Sequence, residues 1–493
     1  MDPHAFIVRR IMDPSCELHT DVLLKPSGGA AGGVCWRDGV VTGLEASPGK
    51  SVPCIVPAFV DPHVHLILGA RHAQRADFSN CRSREEFSRC LDMAHRDQPE
   101  GWLIGGGWDA GRLGLTPDRS WLESVGDRPC VLWSRDIHVA VVNDAVLSQL
   151  DVSPIQGGCF HRDDSGQLSG RLEEAAAWHR LNPMIPEPSP STDRLFVEHV
   201  VPLLHARGIL AVGSMEYFRH VKSVLTQGVP GLDLSITLLD RSEEVDATSL
   251  REEFAQHVHL VLSGMKSFAD GTLGARTAWM DTPWADGAPK GWPLDHTAEG
   301  TLASWASQVR SEALDPAVHA IGSAAVAAVL DAFETAGIDS GRVEHAEFVR
   351  DVDLPRFKGH WCSMQPTHHV DDAREIAKCA DPKLAFRFRS LQEAGGQLAF
   401  SSDWPVVEAD PLNAMLEAVR PDRSESVGVM TALEAVTTAA ARMVRLPDPS
   451  LRVGGPASFV VLDEDPRQAL PQGRVPSILA TVRHGQVVYG DLP

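Results

Sequence analysis

Two histidines stand two positions apart in Phe59-Val60-Asp61-Pro62-His63-Val64-His65, which follows the apolar run Cys54-Ile55-Val56-Pro57-Ala58. The apolar run is typical of a short buried strand, and alternation along a strand places both imidazoles on one face. Neutral imidazole nitrogen is a good ligand for zinc and similar cations. The pattern predicts half of a metal site at the carboxyl end of a strand, with two solvated loop histidines as the alternative.

Short apolar strands alternate with helical segments through the middle of the chain, which predicts βα units and a parallel sheet. The apolar cores predict eight strands, at Cys54 to Val60, Gly208 to Met215, Leu232 to Leu239, Leu260 to Phe268, Ala317 to Ile321, Arg342 to Phe348, Trp361 to Gln365 and Leu398 to Ser402. Eight strands with intervening helices favour an α/β fold, a closed (β/α)8 TIM-type barrel.

The two ends of the chain have a different sequence pattern, in which short apolar segments are separated by Gly, Pro and Ser. Neither end has enough strands for a stable sheet, so we expect residues 1–57 and 445–493 to form one small composite β-sandwich. The barrel is then assigned to residues 58–70 and 206–444. Residues 71–205 are too long for a βα loop and predict an insertion that covers the active-site face.

Composition excludes several classes of protein. The formal net charge of -21, from 66 Asp and Glu against 45 Lys and Arg, disfavours nucleic acid and anionic membranes as partners. Nine cysteines without paired spacing fit a reducing compartment. No basic and apolar leader opens the chain, and no run has the length of a membrane span. We expect a cytoplasmic protein with a small-molecule substrate, and a homo-oligomer is compatible with these features.

Polar residues that are awkward for a core recur near the ends of four predicted strands: Lys266, His319, His345 and Asp403. Active sites of such barrels are assembled at the carboxyl ends of the strands, so these residues can meet the two histidines of the first strand. Taken singly, each has a structural alternative, such as a hydrogen-bonded core histidine or a helix-capping aspartate. Taken together, they predict one site.

Lys266 is the most informative of these residues, because an ammonium inside an apolar strand is costly to bury without a partner or altered chemistry. A neutral lysine amine can add carbon dioxide, and the resulting carbamate could bridge two cations. The alternative is a buried ion pair with Asp270.

These motifs resemble the amidohydrolase superfamily, and within it the N-substituted formamide deformylase-like (YtcJ-like, amidohydrolase 3) branch. The resemblance runs through nearly the whole chain, over 57–65, 266–278, 318–322, 342–346 and 402–405. It implies that His63, His65 and Asp403 bind one metal, that His319 and His345 bind another, and that a carboxylated Lys266 bridges them. The implied cofactor is Zn2+, one or two ions per chain, although another divalent transition metal would suit the same ligands.

One departure from the family pattern lies after His319, where Gly322-Ser323 replaces the usual Gly-Asp. Ser323 is expected to cap the following helix in place of the aspartate. The missing carboxylate puts in doubt any bond that it would make behind the metal ligands.

The predicted chemistry is metal-dependent hydrolysis of a non-peptide carbon-nitrogen bond, as in an N-substituted formamide. A metal-bound hydroxide would attack the carbonyl, and Asp403 would carry the proton of the water to the leaving amine. A hydrolase of a cyclic amide, amidine or ester on the same scaffold is the alternative, and a catalytically inactive binding protein is a third hypothesis. The intact ligand set argues against the third.

Substrate contacts are predicted for residues that combine aromatic walls with a few polar groups. They are Trp108, Asp109, His138, Arg276 and Trp404. For Trp108 and Trp404, simple packing at the barrel mouth is the alternative.

Overall fold

The computed structural model describes residues 15–25, 28–45, 50–241 and 245–493. An eight-stranded parallel sheet forms the centre of the molecule, and the strands follow one another around it in chain order. Barrel strands 1 to 8 are Phe59–Val64, Ile209–Glu216, Asp233–Leu239, Leu260–Phe268, Asp315–Ala320, Arg342–His345, Trp361–Met364 and Gln397–Phe400. The predicted barrel is therefore confirmed.

Strands 1 and 8 meet at their carboxyl ends and complete the ring. The backbone N–H of Asp403 donates to the carbonyl of His63, and that of His65 to the carbonyl of Trp404, each at 2.8 Å. The side chain of Asp61 in strand 1 accepts from Ser402 N and Ser402 Oγ, at 3.1 and 2.5 Å. The seam of the barrel thus lies beside the predicted metal ligands.

Most helices pack outside the sheet, and their apolar faces meet the strands in a large hydrophobic core, whereas helix Arg84–Asp97 packs within the insertion. The α-helices of five residues or more are Leu66–His72, Arg84–Asp97, Pro190–Ala206, Ala247–Phe254, Asp295–Glu299, Leu302–Ser311, Ser323–Thr335, Phe388–Glu393, Pro411–Val419, Val429–Ala435 and Thr438–Met443. No helix among the described residues is long and apolar enough to cross a membrane.

One helix start differs from expectation. The residue that precedes helix Ser323–Thr335 is Gly322, and no side chain caps this helix. The hydroxyl of Ser323 instead accepts a hydrogen bond from Asp281 N at 3.1 Å. The prediction that Ser323 caps the helix was wrong, because Ser323 is already inside the first turn.

Both ends of the chain contribute to a single seven-stranded sheet. Its strands are Ser15–Lys25, Gly28–Arg37, Val40–Gly43, Ser51–Pro57, Phe459–Leu462, Ile478–Arg483 and Gln486–Gly490. Strand Ser51–Pro57 pairs in parallel with Ser15–Lys25 and antiparallel with Phe459–Leu462, which joins the two termini. The predicted strand Cys54 to Val60 is divided, because its first half belongs to this sheet and its second half to the barrel.

The long insertion after strand 1 has a mixed six-stranded sheet of its own. Its strands are Ala76–Asp77, Leu103–Trp108, Cys130–Ser134, Val139–Val142, Gly158–Arg162 and Leu168–Glu174. Side chains alternate between its two faces, so that Leu132 packs in one hydrophobic cluster while Trp133 packs in another. This sheet contributes residues to one wall of the cavity over the barrel mouth.

Candidate metal centre

The six predicted metal ligands meet at the carboxyl ends of five barrel strands. They are His63 in strand 1 and His65 directly after it, Lys266 in strand 4, His319 in strand 5, His345 at the end of strand 6, and Asp403 after strand 8. The ring centroids of His319 and His345 lie 4.3 Å apart, and those of His63 and His345 lie 5.2 Å apart. His63 and Asp403, which are 340 positions apart in the chain, thus lie together at the mouth of the barrel.

His63, His65 and Asp403 form the tightest group. Asp403 Oδ1 lies 3.3 Å from His63 Nε2 and 3.2 Å from His65 Nε2, and the three ligand atoms lie within 4.8 Å of one another. The backbone of Asp403 has a φ of 58°, in the left-handed region that costs an L-residue free energy. The hydrogen bond from Asp403 N to His63 O holds this conformation and aims the carboxylate at the two imidazoles.

Buried acceptors orient two of the imidazoles. His63 Nδ1 lies 2.7 Å from Glu344 Oε2, and Arg342 Nη2 lies 2.8 Å from the other oxygen of Glu344. His345 Nδ1 lies 2.8 Å from the side-chain oxygen of Gln365. A donated Nδ1–H leaves Nε2 as the free lone pair on each ring, which is how proteins commonly present histidine to a metal.

The protonation states suit a divalent cation. Burial lowers the pKa of His63 to about 4, and burial also lowers the pKa values of His319 and His345 well below the ordinary value. Burial alone would raise the pKa of Asp403, but the charge and hydrogen bonding of His63 and His65 hold it well below its usual range. Neutral imidazoles around a carboxylate are a good ligand set for zinc.

Two buried atoms at the centre are left without a hydrogen-bond partner among the described residues. They are His345 Nε2 and Asp403 Oδ1. Buried polar atoms are normally satisfied, so atoms without a hydrogen bond among the candidate ligands call for a partner. The residues present therefore fit a metal ion.

Lys266 is completely surrounded by protein, with 1% of its surface exposed. Its Nζ lies 2.9 Å from His63 Nε2, and burial lowers its pKa to about 8. The two carboxylate oxygens of Asp270 accept instead from the backbone N–H groups of Ile321, Gly322 and Trp279, at 2.8 to 3.0 Å. The alternative ion pair between Lys266 and Asp270 is not present in the structure.

The five predicted substrate residues divide between two clefts and the barrel rim. His138 lines the cavity above the metal ligands, with its ring centroid 5.5 Å from that of His319 and its Nδ1 2.8 Å from Glu174 Oε2. Trp108, Asp109 and Arg276 line a neighbouring cleft.

The two predicted tryptophans pack tightly. The indole N–H of Trp108 donates to the carbonyl of Leu132 at 2.9 Å inside the core of the insertion. Trp404 lies against Gly69, where an added Cβ would come within 2.2 Å of its ring. Both positions agree with the packing alternative.

Sequence reasoning missed the residues that support the ligands from behind. Arg342 and Glu344 are fully buried, and the alternation of two charged residues along an apolar strand was a signal that could have revealed them. Gln365 follows the one late barrel strand for which no polar site residue was predicted. Arg241, buried beside the cavity, carries no local sequence signal because its environment comes from two distant elements.

Comparisons with known proteins agree with this geometry. Residues 54–489 match the model of the amidohydrolase family. The chain is 29% identical to Protein LONG AFTER FAR-RED 3 of Arabidopsis thaliana, over 88% of this chain and 82% of that protein. It is 27% identical to the putative amidohydrolase YtcJ of Bacillus subtilis, over 88% of both.

Two further likenesses concern enzymes by name. The chain is 24% identical to N-substituted formamide deformylase of Arthrobacter pascens, over 84% of both proteins. The structure resembles an uncharacterized metal-dependent hydrolase of Pyrococcus furiosus, with a TM-score of 0.69, 26% identity and coverage of 92% of this chain and 100% of the other. The match over most of the chain and the converging ligands lead to one conclusion: this protein belongs to the amidohydrolase family, in its YtcJ-like branch.

Proposed function

We propose that the protein hydrolyses a carbon-nitrogen bond other than a peptide bond, in an open-chain amide of the N-substituted formamide kind. The observation that carries this proposal is the convergence of four histidines, a carboxylate and a buried lysine on the floor of a cavity. The deformylase relative, named for such a substrate, supports the choice of an amide.

The proposed cofactor is Zn2+, in one or two ions per chain. His63, His65 and Asp403 would hold one ion, and His319 and His345 would hold the other, with Lys266 between them as a carbamate. A divalent cation in this position supplies an acidified water and polarises a carbonyl oxygen.

Asp403 and His138 are the residues to which we assign roles toward the substrate. The unpartnered Oδ1 of Asp403 can take a proton from the attacking water and deliver it to the leaving nitrogen. Since His138 Nδ1 donates to Glu174, its Nε2 carries the free lone pair and is the nitrogen that remains to accept a hydrogen bond from the substrate N–H. His138 lines the same cavity as the metal ligands.

The cavity itself suits an amide with an aryl or alkyl substituent. It encloses about 1260 Å3 together with its open mouth, and Trp133, Ile137, Trp178 and Phe268 contribute apolar surface to its walls. Apolar walls with a few polar groups are typical of small-molecule sites. We also propose a cytoplasmic protein whose partner is this small substrate.

The test combines metal analysis with hydrolysis of N-benzylformamide, followed as release of benzylamine. We expect stoichiometric transition metal in the purified protein and a drop in kcat of about 10³-fold or more in Asp403→Asn, because the variant loses a ligand and the proton carrier together.

The matched control is Asp371→Asn, an aspartate of the neighbouring cleft that pairs with Arg135. It should retain near wild-type activity. A wild-type kcat in Asp403→Asn would show that the assigned base is wrong, and loss of activity in Asp371→Asn alone would move the site to the neighbouring cleft.

A further inference from the structure

A buried guanidinium without a hydrogen-bonded acceptor faces the cavity of the metal centre. Arg241 lies two residues after barrel strand 3, lines this cavity and is 6% exposed. Its Nε and Nη2 are buried and have no hydrogen-bond partner among the described residues. Among the described residues, its recorded ion-pair partner is Asp295, whose Oδ2 lies 3.9 Å from Nε, beyond hydrogen-bond distance.

Two aromatic rings contact this guanidinium. Arg241 Cζ lies 3.4 Å from the ring centroid of Trp178 and 3.7 Å from that of Phe268. The Lys266 amine also lies over the Phe268 ring, with its Nζ 4.9 Å from the ring centroid. Arg241 is thus held beside the metal centre against two aromatic rings, and its N–H groups are what it can offer to a ligand.

Several other charges on the cavity wall already have partners. Arg71 donates to both oxygens of Asp193, at 2.8 and 2.7 Å, and Arg219 donates to Glu187 at 2.9 Å. Of the wall carboxylates, Asp136 accepts from Ser134 Oγ and Thr272 Oγ1, and Glu216 accepts from Ile67 N and Ser214 Oγ. None of these carboxylates is placed to neutralise Arg241.

The edge of Arg241 that carries Nε and Nη2 has a geometry that suits a carboxylate. Nε–H and Nη2–H project side by side from one edge of a guanidinium and match the two oxygens of a carboxylate. An arginine buried without such a partner is costly, and that cost is relieved when an anion enters. Because Nε and Nη2 are shielded from solvent, this edge of the guanidinium must turn toward the cavity to meet a carboxylate.

We propose that the substrate of this enzyme carries a carboxylate, and that Arg241 binds it while the amide lies at the metal centre. This inference rests on the proposed amide hydrolysis and names its substrate class, an N-acyl amino acid or a related anionic amide. Trp178 and Phe268 would then contact the guanidinium on one side and the organic part of the substrate on another.

The first experiment compares two substrates that differ in one group. N-formyl-L-phenylalanine carries the carboxylate, and N-formyl-2-phenylethylamine is the same molecule without it. We expect the wild-type enzyme to favour the anionic substrate by about 30-fold in kcat/KM, since two charge-assisted hydrogen bonds separate the two. Arg241→Gln should bring the ratio close to unity by raising KM for the anion, and Arg241→Lys should keep part of it.

The matched control is Arg219→Gln, which removes a cation from the same cavity wall. Arg219 already donates to Glu187, so its charge has a partner without the substrate. This variant should keep most of the preference for the anion. Equal losses on both substrates in Arg241→Gln would mean that Arg241 only supports the fold through Asp295 and the aromatic rings, which would overturn the proposal.

A binding measurement separates this inference from the proposed reaction. Calorimetry of the metal-loaded protein with 3-phenylpropanoate and 3-phenylpropanamide should show tighter binding of the anion, lost in Arg241→Gln. If neither formamide is hydrolysed but this loss is seen, the reaction is wrong and the carboxylate subsite stands. If the wild type binds both compounds equally, or if Arg241→Gln still prefers the anion, the carboxylate is bound elsewhere and the subsite is refuted.

Discussion

Lys266 shows how burial turns an ordinary side chain into a reactive one. Its pKa of about 8, lowered by burial, leaves a useful fraction of neutral amine that can add carbon dioxide. We predict that Lys266 is carboxylated in the native enzyme and that Lys266→Ala loses activity and bound metal, with partial recovery of both in bicarbonate and short carboxylic acids. Lys290→Ala, an exposed lysine outside the site, is the control. An unmodified Lys266 in native mass analysis of fully active enzyme would contradict the bridging role.

The seam between barrel strands 1 and 8 is the structural element on which the centre depends. Asp61 is buried and joins the seam through Ser402 N and Ser402 Oγ. We predict that Asp61→Ala lowers the free energy of unfolding by about 2 kcal/mol, because it leaves buried donors without an acceptor. Asp61→Asn, which keeps one oxygen for Ser402 N, should cost less. Thermal unfolding of both variants gives the measurement, and equal midpoints for Asp61→Ala and the wild type would show that the seam does not need this carboxylate.

On the scale of the whole molecule, the metal would join five strands that are far apart in the chain. A ligand that binds only the folded state stabilises it by mass action, so removal of the metal should lower the melting temperature as well as abolish activity. We predict a drop of about 5 °C or more on chelation and dialysis, measured by scanning calorimetry, with recovery on addition of Zn2+ but not of Mg2+, since histidine ligands favour zinc. Active, freshly purified enzyme without any transition metal would contradict the metal-dependent mechanism.

The sequence by itself determined the barrel and the candidate ligands that come together in it. Strand and helix periodicity is a local property, and candidate ligands such as His63 and Asp403 stand at strand ends that any parallel barrel brings to one mouth. The composite terminal sheet was also predictable, because each end of the chain carried too few strands to be stable alone. Only the division of the strand near Pro57 between two sheets escaped this reasoning, since one apolar run served both.

Tertiary structure alone decided the surroundings of those ligands. The pairing of Glu344 with His63, and the placing of Trp108 in a core away from the metal ligands, depend on contacts between elements that no local pattern encodes. Arg241 is the clearest case. Its contacts with Trp178 and Phe268 join the insertion to the barrel, so the surroundings of its two unbonded N–H groups exist only once the whole chain has folded.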